Sequence, residues 1–122
     1  MAEPLVRWFE DLSLADLASV GGKNASLGEL IARLGEVGIR VPPGFALTGA
    51  CYWRLLDANA LRPRIAALLA GLDAGRDLGA VGGEIRGLLL AAPIPDDVSE
   101  ALRAAYRALA RRVGRADVAV AV

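Results

Sequence analysis

From Asn24 onward the apolar side chains recur at Leu27, Leu30, Ile31 and Leu34, the i, i+3, i+4, i+7 series that lines one side of a helix. Gly35 and Gly38 are placed to end that helix. Upstream, Leu5–Phe9 is apolar and aromatic with a single charge at Arg7, a composition that suits a short strand. Ser13 followed three positions later by Asp16 has the spacing of a capping box, and it opens a helical turn whose apolar side is Leu14, Leu17 and Val20. Gly21-Gly22 stops that turn. Downstream, Ile39–Val41, then Pro42-Pro43-Gly44, then Phe45–Leu47 predicts strand, rigid turn and strand. Thr48 is positioned to cap the next helix.

Three more helices follow by the same reasoning. The first carries Tyr52, Leu55 and Leu56, and the second carries Leu61, Ile65, Leu68, Leu69 and Leu72, with Pro63 near its start. The third repeats the pattern at Leu78, Val81, Ile85, Leu88 and Leu89 despite Gly79, Gly82 and Gly83, each of which costs a helix interior roughly 1 kcal/mol relative to Ala. Pro93-Ile94-Pro95 is a stiff connector to a last, long helix, with Asp96 and Asp97 in its first turn and Arg111 and Arg112 in its last. Both charge clusters complement the helix dipole. Its buried side is expected to be Val98, Leu102, Ala105, Tyr106, Leu109 and Val113. Val118–Val122 is a continuous β-branched apolar run, the pattern of a strand buried on both faces of a sheet. No stop signal follows it, so the expectation is that the polypeptide continues and that these residues are its opening segment. Left unpaired, such an edge is an aggregation risk.

The totals bound what this α/β arrangement can do. A chain of 122 residues, 55% hydrophobic and 23% charged, is one small packed domain or part of a larger one. Fourteen Lys and Arg balance fourteen Asp and Glu, so no overall field attracts nucleic acid or an anionic membrane. No apolar stretch reaches the ~20 residues of a membrane span. Cys51 is the single cysteine and cannot form an internal disulfide, which fits a reducing cytoplasm. The absence of histidine removes the commonest general base, the Ser-His and Cys-His pairs, and any phosphohistidine within this stretch.

Chemistry concentrates at Val20-Gly21-Gly22-Lys23-Asn24. Two permissive glycines and a lysine stand at the mouth of a helix, where free backbone N–H groups and the positive dipole end favour an anion such as phosphate. A lysine ammonium is a mobile point charge that follows phosphoryl oxygens without requiring a planar partner. The pattern is not a P-loop, which needs Gly six residues before the lysine and Ser or Thr after it; Leu17 and Asn24 occupy those positions. On physics alone, an ordinary helix start with a solvated lysine reads the same way.

The stretch Val20–Glu29, followed by Val41-Pro42-Pro43-Gly44-Phe45-Ala46-Leu47-Thr48, resembles the start of the phosphoenolpyruvate synthases. They are relatives of pyruvate phosphate dikinase and rifampicin phosphotransferase. Asn24-Ala25-Ser26 favours the synthases, because the relatives more often carry Gly-Ala-Asn there. The resemblance extends along the whole chain, with Trp8, the Glu84–Arg86 helix and the Asp96–Arg112 helix, although only the two motifs are diagnostic. It implies an α/β (α+β) fold: residues 1–122 as a partial N-terminal ATP-binding domain, the helix-rich first lobe of an ATP-grasp-like domain with a few short strands, cut at the last one. It also implies that Lys23 contacts the phosphates of ATP, with Gly21 and Gly22 shaping its approach. The family reaction converts pyruvate, ATP and water to phosphoenolpyruvate through a phosphohistidine, with Mg²⁺, in gluconeogenic carbon metabolism. A second ATP-binding arginine, the swivelling phosphohistidine domain, and the site for pyruvate and magnesium are all expected beyond Val122. Isolated residues 1–122 are therefore expected to be inactive and at most to bind nucleotide weakly. The alternatives are a segment of a rifampicin phosphotransferase or pyruvate phosphate dikinase, or a non-catalytic helical interaction module or remnant.

Other polar residues have simpler explanations. Cys51 beside Tyr52 and Trp53 reads as a small core or boundary residue. Arg103, Arg107 and Arg111 share a helix side, expected to be solvated and paired with carboxylates such as Glu100. Asp96 and Asp97 serve as first-turn dipole partners rather than metal ligands.

Overall fold

The computed structural model describes residues 2–122. Its elements, in chain order, are β1 (Val6–Trp8), β2 (Phe45–Leu47) and five α-helices: α1 (Leu17–Glu36), α2 (Gly49–Ala58), α3 (Leu61–Asp73), α4 (Leu78–Ala91) and α5 (Asp96–Val113). Two 3₁₀ turns, Phe9–Asp11 and Leu14–Asp16, join β1 to α1. The fold is helix-rich with one small two-stranded sheet. The chain divides into two compact units, Met1–Cys51 with Asp96–Val122, and Tyr52–Pro95.

The first unit is organised around the antiparallel β1–β2 pair, in register Val6 to Leu47, Arg7 to Ala46 and Trp8 to Phe45. Trp8 and Phe45 meet edge to face across the ladder, ring centroids 5.5 Å apart. The core consists of Leu12, Val20, Ala25 and Ala46, with Phe9 packed against it. Two glycines allow that core to close. A Cβ on Gly28 would lie 2.4 Å from Leu12 O and 2.6 Å from Leu12 Cβ, and one on Gly44 would lie 2.3 Å from Phe9 Cε2. Gly44 O also accepts from Phe9 N–H at 3.0 Å. Cys51 is buried, its thiol 3.2 Å from Leu5 O, as its small-core reading expects. Arg112 of α5 stacks on Trp8, 3.7 Å from the ring centroid, and pairs with Glu10.

The second unit contains α3 and α4 packed on each other, with Leu56, Leu61 and Val81 buried. Asp77 caps α4, its carboxylate accepting from Ala80 N–H at 2.9 Å. Trp53 lies edge to face with Tyr52 and under Arg62, 4.3 Å from the ring centroid.

Four expectations are corrected. Ile39–Val41 forms no strand, because Ile39 N–H is already used to close α1 by donating to Leu34 O at 2.9 Å, and the two prolines that follow have no N–H to offer a ladder. Val118–Val122 is not a strand either. Among the described residues no strand borders it, and the Tyr106 hydroxyl takes the place of one: it accepts from Val118 N–H at 3.0 Å and donates to Val118 O at 2.8 Å. Leu14 and Leu17 are exposed, 57% and 55%. They share a side across a three-residue-per-turn 3₁₀ segment, but Leu12 and Val20 fill the core instead. In α5 burial falls on Val98, Ala105, Leu109 and Ala110, while Val113 is 43% exposed at the end of the helix.

Candidate nucleotide-phosphate site

The residues around Gly21 gain their position from both flanks. On the N-terminal side Ser13 makes the expected capping box: Asp16 Oδ2 accepts from Ser13 N–H at 2.9 Å and Ser13 Oγ accepts from Ala15 N–H at 3.2 Å. Arg7 reaches across from β1 to Asp16 at 3.2 Å and to Asp11 O at 2.8 Å. The Ser13 backbone bond, together with the Arg7 charge, holds the Asp16 carboxyl below its ordinary value of 3.8, against the opposing effect of burial. On the C-terminal side Ala25 and Gly28 are buried, and Glu29 accepts from Leu14 N–H at 3.2 Å. The Gly28-Glu29 end of the motif therefore serves the core and the turn.

Between these anchors the backbone breaks. Gly21 has φ 78° and ψ 166° inside the span of α1, so two helical segments meet at a kink. This is a region of backbone space that only glycine occupies readily. The expected stop at Gly21-Gly22 is thus a sharp break, and a second helical segment starts directly after it. Nothing lies within 4 Å of where a Gly21 Cβ would stand, and at Gly22 the nearest atom is Leu17 Cδ1 at 3.6 Å. Gly21, Gly22 and Lys23 are all exposed. The structure therefore brings the three predicted residues together on one open stretch, with backbone accessible beside an exposed ammonium.

Asn24 was not singled out as a site residue, yet its side-chain amide donates to Val20 O at 2.8 Å, bridging the kink. An Asn four positions after the residue preceding a Gly-Gly pair was the available signal. The arginines of α5 do not follow their expected pairing: no ion pair joins Glu100 to Arg103, Arg107 or Arg111 among the described residues. Arg107, Arg111 and Arg115 instead line a shallow cavity of about 370 Å³ with Ala110, Gly114 and Ala116. No group of three His, Cys, Asp or Glu that could hold a metal ion occurs among the described residues. Among them, too, no helix is long and apolar enough to cross a membrane.

Comparison with known proteins finds relatives along the whole chain. Residues 17–122 match the family described as pyruvate phosphate dikinase, AMP/ATP-binding domain. The chain is 46% identical to the phosphoenolpyruvate synthase of Neisseria meningitidis serogroup B, with all of this chain and 16% of that enzyme covered. It is 37% identical to the phosphoenolpyruvate synthase of Aquifex aeolicus over 99% of this chain and 14% of that enzyme. To the Escherichia coli phosphoenolpyruvate synthase it is likewise 37% identical, over 98% of this chain and 15% of the enzyme. The chain thus spans about one-seventh of the length of these relatives.

Proposed function

The chain belongs to the pyruvate phosphate dikinase AMP/ATP-binding family, and from that membership we propose that residues 1–122 are the opening part of the ATP-binding domain of a phosphoenolpyruvate synthase. In this reading they form the helix-rich first lobe of an ATP-grasp-like domain. The reaction served is phosphorylation of pyruvate to phosphoenolpyruvate with ATP and water, a cytoplasmic step of gluconeogenic carbon metabolism. The synthase name carried by the three relatives above supports this over a rifampicin phosphotransferase, a pyruvate phosphate dikinase or a non-catalytic module.

The observation that carries the proposal is the break at Gly21. It exposes the start of a helical segment at the one place where the family motif puts Gly-Gly-Lys. An anion approaching there meets backbone with no Cβ at Gly21 or Gly22 to hold it away, and the positive end of the segment's dipole. Lys23 adds a full charge on a flexible stem, suited to the β- and γ-phosphates of ATP. The residues present fit a triphosphate; Mg²⁺, which the reaction uses, is not assigned to side chains of this chain.

Transfer of a phosphoryl group depends on positioning and on charge neutralisation from several directions. Lys23 supplies one of these, and residues 1–122 in isolation are expected to bind ATP weakly without turnover. In the intact enzyme carrying this segment, Lys23→Ala removes a charge-assisted contact of about 1.5–3 kcal/mol, a loss of roughly tenfold to a hundredfold in ATP-dependent phosphorylation. Near-normal activity of that variant removes Lys23 from the site.

A further inference from the structure

Val20 and Ala25 are the two core anchors on either side of the break, 7% and 0% exposed. The four residues between them carry the proposed phosphate grip, and the first two are glycines. Glycine populates many backbone conformations, so a Gly-Gly pair left to itself does not hold one geometry. Open space lies beside it, since a Cβ at Gly21 would touch nothing within 4 Å. The hydrogen bond from Asn24 Nδ2 to Val20 O closes this four-residue loop, running from the carbonyl just before Gly21 to the residue just after Lys23.

The competing state is specific. If Gly21 returned to helical angles, α1 would run straight through, and the N–H groups of Gly22 and Lys23 would turn to the carbonyls four residues back, on Ala18 and Ser19. Donors bonded in this way are withdrawn from an incoming anion. Holding Gly21 out of the helix is therefore a condition for the grip.

Building on the proposed ATP site, we infer that Asn24 is a positioning residue. By tying its side-chain amide to Val20 O it keeps the Gly21 break open and presents Gly22 and Lys23 to the phosphates, without touching the nucleotide itself.

The test uses the ¹⁵N-labelled chain, titrated with ATP, in four forms: unmodified, Lys23→Ala, Asn24→Ala and Asn24→Thr. Two quantities are read in each, ATP affinity from amide shifts and the Gly21 amide–Hα couplings, which report its φ. Asn24→Ala is expected to weaken ATP by about threefold to tenfold, the range of one lost side-chain-to-backbone bond, and to move the Gly21 couplings toward helical values. Asn24→Thr, whose hydroxyl can donate to the carbonyl four residues back, is expected to bring both readouts to within about twofold of the unmodified chain. Amide shifts of Val81 and Leu109, far along the sequence, should stay fixed, which a loss of fold would not allow. The inference is overturned if Asn24→Ala keeps unmodified Gly21 couplings, or if Asn24→Thr recovers neither readout. If Lys23→Ala binds ATP as well as the unmodified chain, the phosphate-site reading fails, and the Gly21 couplings still judge the bridge separately.

Discussion

Replacing Gly28 with alanine adds one methyl group to the middle of α1, a change that raises helix propensity by about 1 kcal/mol when nothing is in the way. Here something is. The new carbon would stand 2.4 Å from Leu12 O, 2.6 Å from Leu12 Cβ and 2.7 Å from Leu12 C, so backbone and side-chain root must together retreat by about 1 Å to reach ordinary contact distance. Leu12 is only 4% exposed and belongs to the core with Val20, Ala25 and Ala46. Overpacking of this kind costs about 1–3 kcal/mol, and because two of the three atoms in the way are backbone the upper end applies, so after the propensity gain a net loss of up to about 2 kcal/mol is expected. Gly35→Ala is the matched control, because it lies in the same helix with nothing within 4 Å of its new carbon. It is expected to be neutral or to stabilise by up to about 1 kcal/mol. A whole-molecule melt would blend the two compact units, so the readout is native-state amide exchange at Ala25 and Ala46, in the first unit. Equal protection in the Gly28→Ala and Gly35→Ala variants would refute the close approach of Leu12 to α1.

Two further outcomes are expected. Asp16 has its carboxyl held below 3.8, so its contribution is fully present above that value and is lost as pH falls through the lower folded value; urea unfolding should show Asp16→Asn weaker than the unmodified chain near neutrality, with the gap closing as the pH falls below 3.8. Tyr106→Phe removes both bonds to Val118 and should raise hydrogen exchange at the Val118 amide by about tenfold, with protection at Leu109 unchanged.

Much of the helical layout was legible, because four of the apolar runs are long enough for the 3.6-residue period to show and are closed by glycine or proline. The capping box at Ser13 and Asp16 was legible for the same reason: it is local chemistry, settled within four residues. The misses were non-local. Ile39–Val41 has strand-like side chains, but its first N–H is claimed by α1. Val118–Val122 has an ideal strand composition, yet composition cannot supply the neighbouring ladder that a strand requires. At the candidate site, Gly-Gly-Lys was visible as a motif, whereas the angle at Gly21 and the Asn24 bridge were not, since both are properties of a particular backbone. The tight fits at Gly28 and Gly44 were hidden too, because sequence names the missing side chain without naming the atoms that fill its place.

The pairing of Glu10 with Arg112 spans 102 positions in sequence, and the whole Tyr52–Pro95 unit lies inside that interval. A ribosome making this polypeptide must therefore release the β1 ribbon and α1 long before α5 exists to lie against Trp8. Until then the tryptophan waits without its guanidinium cover, and closing so wide a loop is slow compared with forming the local turns. Birth order thus divides the first unit into an early half that is sequence-local and a late clasp. A nascent chain that stops short of Arg112 leaves that indole without its cover.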